Sequence, residues 1–70
     1  MKNVLVVGAG ISGLGAAHVL LRHGCHVLIS DLHDSIKDLK EKETLLALGA
    51  VFKFGAPASY ARKDAANIFS

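Results

Sequence analysis

Six residues constrain this chain more than any others: Gly8-Ala-Gly10-Ile-Ser-Gly13, a G-x-G-x-x-G set wedged between an apolar run and a helical pattern. Ahead of it, Asn3–Val7 is a short β-branched run of the kind that suits a strand buried on both faces of a parallel sheet. Behind it, Ile11, Leu14, Ala17, Leu20 and Leu21 recur at helical spacing, so a helix begins at Ile11. Arg22 and His23 fall in its last turn, where cations favour the dipole, and Gly24 follows as a left-handed stop.

Strand before and helix after is the context that gives the glycines meaning. Gly8 permits the tight turn out of the strand. Gly10 lacks a Cβ, so backbone can come close to a pyrophosphate. Gly13 lets the helix pack close to the sheet. The unpaired amides of the first helical turn then point at a phosphate, and the dipole favours its charge. Ser12 adds a hydroxyl donor there, or alternatively caps the helix. Asp31, eighteen residues after Gly13, stands at the end of a second strand, His26–Ser30. A carboxylate in that place accepts hydrogen bonds from a ribose hydroxyl or a base N–H. Together these features specify a nucleotide-diphosphate fold without specifying the nucleotide.

Val4–Leu21 contains no Asp, Glu, Lys or Arg, which is also how a membrane span or signal peptide begins. Glycines at 8, 10, 13 and 15 break the run, no A-x-A-like cleavage site follows, and a second strand comes almost at once. The reading is therefore a buried first strand and no membrane insertion. The lone Cys25 excludes an intrachain disulfide, suits a reducing, cytoplasmic setting, and reads as a packing residue. A formal charge of +2 without a basic stripe points away from nucleic acid. His18, His23, His26 and His33 share no metal-ligand spacing, and no nucleophile and base are brought together, so neither a metal site nor catalytic residues are assigned.

Beyond the polar loop Asp31–Asp34, Ser35-Ile-Lys-Asp38 reads as a capping box opening a helix from about Ile36 to Leu48, with Asp38 and Lys42 as an i,i+4 pair. Gly49 ends it. Ala50–Phe54 is a third strand, Gly55-Ala-Pro57 a turn, Ser59–Asp64 a short helix, and Ala65–Ser70 the start of a fourth strand. The class is α/β, a Rossmann-like parallel sheet in β-α-β-α-β order. Seventy residues bury little core, and a sheet of three or four parallel strands leaves edges open, so an incomplete fold is expected.

The start V-x-V-x-G-x-G-x-S-G-L, the Ile29-Ser-Asp31 end of strand two, and Leu45–Gly55 around strand three resemble the N-terminal domain of the UDP-N-acetylmuramoylalanine–D-glutamate ligases, the MurD-type Mur ligases, over essentially the whole chain. The resemblance implies a Rossmann-like domain, spanning 1–70 in part, that binds the UDP portion of UDP-N-acetylmuramoyl-L-alanine. Gly8 and the Gly10–Gly13 loop, with Ile11 and Ser12, would face the diphosphate. Asp31, with Leu32 and His33, would face the uracil. Family members often carry a hydroxyl and a basic residue after that acid; His33 supplies part of the basic contact, whereas Leu32 donates no hydrogen bond. The whole enzyme, by the same implication, uses ATP and Mg to form an acyl phosphate, which D-glutamate attacks in peptidoglycan synthesis. It would serve cell-wall growth, shape and division. Those ATP and C-terminal domains lie outside these residues, which contain no G-x-x-x-x-G-K-[ST], so the segment alone is expected to be inactive.

The rival is an FAD- or NAD-dependent oxidoreductase, whose start reads almost identically through Asp31. Such flavoproteins usually continue with an Arg- and Gly-Gly-containing loop, whereas here Leu32-His-Asp-Ser-Ile-Lys follows, with no glycine until Gly49. A small nucleotide-sensing module is a third reading, and it would need a complete sheet.

Overall fold

A computed structural model describes residues 2–69. Strand β1 (Asn3–Val7) leads through the glycine turn into α1 (Ile11–Arg22), and β2 (His26–Asp31) follows. A seven-residue loop, 32–38, precedes α2 (Leu39–Ala47) and then β3 (Val51–Phe54). A short 3-10 turn, Ala58–Tyr60, runs into α3 (Ala61–Ile68). The three strands form one parallel sheet in the order β1-β2-β3. Asn3 lies opposite His26, and Leu28 opposite Val51.

β2 is the middle strand, and its apolar run Val27–Ile29 is buried on both faces. Side chains alternate across a strand. Val27 and Ile29 accordingly join Leu14, Ala17 and Leu21 of α1 and Leu45 of α2 in the main core, with Val4, Val6, Phe52 and Phe54 against them. Cys25 packs on this core as well. Leu28 and Ser30 point to the other face and are also buried, and Ala61 of α3, which packs against β1, is buried too. Among the described residues no helix is long and apolar enough to cross a membrane: the apolar start divides into a five-residue strand and a twelve-residue helix.

Three expectations give way in the second half. α2 begins at Leu39 rather than Ile36, because Asp38, and not Ser35, caps it: the Asp38 carboxylate accepts the Glu41 amide at 3.0 Å. Asp38-x-x-Glu41 is the better capping sequence, with the preferred Glu three residues after the cap. Spent as a cap, Asp38 does not pair with Lys42, which instead reaches back 3.0 Å to Asp34 in the loop. The Lys42 ammonium lies 5.3 Å from the centre of the Phe54 ring and 5.8 Å from that of Phe52, so one lysine fastens the loop to α2 and β3.

The expected fourth strand at Ala65–Ser70 is helix through Ile68, and Ser70 lies outside the described residues. Ala61, Ala65 and Ile68 fall on one helical face, and Ala61-Arg-Lys-Asp-Ala-Ala66 contains no β-branched residue to oppose a helix.

Candidate functional site

The site grows from the turn between β1 and α1. Gly8 adopts φ +108°, which ordinary residues resist, and its amide donates to Ser30 O at 2.7 Å, carrying the sheet ladder one residue past the strand. Gly13 has a packing task. A Cβ there would collide with the Gly8 carbonyl oxygen, so the helix reaches its seat only with glycine at this place. Gly10 has neither constraint. It is the N-cap of α1 with φ −77° and ψ −179°, and a Cβ on it would meet nothing within 4 Å. The fold therefore does not require glycine at 10; the open space beside it does not arise from packing.

α1 starts uncapped. Among the described residues no side chain caps its first turn, and no acidic residue lies there. The amides of Ile11, Ser12 and Gly13 precede the first intrahelical donor, the Leu14 N–H, which Gly10 O accepts at 2.9 Å. Three outward amides at the positive end of a helix form a seat for an oxyanion. Ser12 lies inside the helix and is exposed. It is not the N-cap that one reading gave it, because Gly10 holds that place.

Asp31 joins the second strand to this turn. Its Oδ2 accepts the Ala9 N–H at 2.7 Å, and its Oδ1 lies 3.4 Å from the His33 amide. The Ala9 amide, seconded by that of His33, holds the Asp31 carboxyl below its ordinary value of 3.8. Ala9 itself is buried, so the carboxylate pins a fixed point of the turn. The Leu32 backbone adds a weaker contact of the same kind, and the four acceptor sites of a carboxylate leave room for one further donor.

A cleft of about 360 Å³ opens beside the turn, lined by Ala9, Gly10, Ile11 and Leu14 and by Ser35, Ile36, Lys37 and Asp38. A second cleft of about 300 Å³ shares Ile11, Leu14 and Asp38 and extends to Gly15 and Glu41. Ile11 stands 94% exposed at the tip of the turn, an apolar side chain left uncovered among the described residues. The structure thus brings together Gly8, Gly10, Ile11, Gly13 and Asp31 around one turn. Leu32 and His33 are exposed and line neither cleft. The residues that do line the far wall, Ser35–Asp38, went unassigned in the sequence; the signal that places them is the Asp38-x-x-Glu41 cap, which leaves 32–38 as loop. Among the described residues no group of three His, Cys, Asp or Glu side chains converges as metal ligands would.

The NAD(P)-binding Rossmann-like domain family model matches residues 6–69, and the chain belongs to that family. Two curated proteins are similar to it. The UDP-N-acetylmuramoylalanine–D-glutamate ligase of Thermobifida fusca (strain YX) is 36% identical over 58 residues, 83% of this chain and 12% of that protein. The enzyme of the same name from Frankia casuarinae is 48% identical over 52 residues, 74% of this chain and 11% of that protein. The chain therefore spans about one eighth or less of the length of these relatives. No solved structure matches it significantly.

Proposed function

We propose, from the similarity to the two curated ligases and from the open glycine turn, that this turn and the open end of α1 hold the diphosphate of UDP-N-acetylmuramoyl-L-alanine. On this reading the chain is the substrate-binding part of an ATP-dependent, cytoplasmic ligase that adds D-glutamate to that substrate in peptidoglycan synthesis. The observation that carries the binding reading is Gly10: a glycine that neither backbone nor packing demands, at the mouth of a cleft and beside three free amides. The names of the two curated relatives support the ligase and its substrates.

The residues here act by holding. The amides of Ile11, Ser12 and Gly13 take a phosphate oxygen, Ile11 lies along the nucleotide, and Asp31 accepts from the uracil imide or a ribose hydroxyl. Gripping the nucleotide handle fixes where the reacting carboxylate at the other end of the substrate can lie, which removes orientational freedom before the chemistry. ATP and Mg act, on this reading, at parts of the protein other than these residues.

The family match favours a second reading, in which the same turn holds the pyrophosphate of NAD(P) or FAD for an oxidoreductase. Calorimetric titration of the intact protein separates the two. UDP-N-acetylmuramoyl-L-alanine and UDP are expected to bind, and Gly10→Val to weaken both by about a hundredfold with only a modest fall in the melting temperature. Binding of NAD(P) or FAD but not UDP would establish the second reading instead.

A further inference from the structure

Of the charged side chains on the two clefts, one has no partner. Asp38 accepts the Glu41 amide at 3.0 Å, and Glu41 lies 3.5 Å from His18, which in turn accepts from Arg22. Lys37 lines the main cleft together with Gly10 and Ile11, yet it makes no hydrogen bond or ion pair among the described residues. Lys42, on the next helix, shows the contrast: its ammonium is committed to Asp34 and the two phenylalanine rings. The loop carrying Lys37 is itself fixed, because Asp34 is tied to α2 and Ile36 packs on the core.

We infer that Lys37 is the cation that contacts the nucleotide's phosphates, reaching across the cleft to the anion seated on the amides of α1; this rests on the reading of the turn as a diphosphate site. The division of labour follows from the chemistry of the donors. The amides are fixed and directional, and they set where one phosphate oxygen lies. An ammonium on a flexible four-carbon stem is a mobile point charge, suited to following charge spread over more than one phosphate. Of its carboxylate neighbours, Asp38 accepts the Glu41 amide and Glu41 lies beside His18, and neither pairs with Lys37 among the described residues. Lys37 thereby distinguishes nucleotides by their phosphates and leaves the base to other contacts.

The test is titration of the intact protein with UDP and with uridine, at low and at physiological salt, for the wild type, Lys37→Met, Lys37→Arg and Gly10→Val. Lys37→Met is expected to weaken UDP about tenfold at low salt and less at physiological salt, to leave uridine unchanged, and to be rescued by Lys37→Arg. Equal UDP affinity in Lys37→Met and wild type, with Gly10→Val still defective, overturns the inference while the diphosphate turn stands. An equal loss for UDP and uridine also overturns it, since Lys37 would then shape the loop rather than touch phosphate. Failure of wild type to bind UDP removes the underlying reading and the inference with it.

Discussion

α1 and α2 begin on the same cleft and are finished in opposite ways. α2 is closed: Asp38 takes the amide of Glu41, and Glu41 puts a carboxylate into the first turn. α1 is open, with glycine at the cap, no acid in the first turn and no side chain on its amides. A closed terminus is stable in water by itself. An open one gives up a cap contact typically worth about 1 kcal/mol and keeps its donors for an outside acceptor. Two adjacent helix ends, built from one short sequence, thus differ in whether a side chain of the fold occupies their first amides.

The harshest way to break that comparison is Gly13→Val, which drives a side chain into the Gly8 carbonyl and unseats α1 altogether. A loss of about 3 kcal/mol or more is expected in denaturant unfolding of the intact protein, with ligand affinity falling alongside. Next is Gly10→Asp, which gives α1 the kind of cap α2 has. The open space at Gly10 admits the side chain. Affinity for UDP is expected to fall by more than about a hundredfold, while the melting temperature holds or rises slightly. The mirror change, Asp38→Ala, opens α2 and is expected to cost about 1 kcal/mol in the same unfolding assay, with little effect on UDP affinity.

The smallest effect is in acid. The folded value of Asp31 is depressed, so its contribution is present above the unfolded value and is lost as pH falls through the lower folded one. The Ala9 amide resonance is therefore expected to titrate below pH 3.8, and Asp31→Asn to abolish that titration.

How legible this was depended on the kind of signal. The β1-α1-β2 unit keeps its expected bounds to within one residue because each boundary carries a local marker: glycines at the turn, helical spacing from Ile11, Arg22 and Gly24 at the end. The second half lacks such markers. Two capping sequences overlap at Ser35–Glu41, and the choice between them rests on Glu rather than Asp three residues after the cap, a difference of one methylene. Ala65–Ile68 reads either way on hydrophobicity alone, and its helix follows from Ala61 docking beside β1. At the candidate site, the glycines and Asp31 read as a ligand motif from their spacing alone. The Ala9–Asp31 bond was not, because it joins residues 22 apart, and Lys37 was not, because its place depends on where α2 begins.

Both crossovers advance the register by the same 23 residues, from 3 to 26 and from 28 to 51. Yet α1 has twelve residues and α2 only nine, the difference appearing as a longer loop ahead of α2. Three residues wound in a helix travel about 4.5 Å, whereas three in an extended loop reach about 10 Å. The chain has exchanged winding for reach at constant length. The wall that carries Lys37 can thus be lengthened or shortened residue for residue against α2, redrawing the cleft while every strand keeps its neighbour.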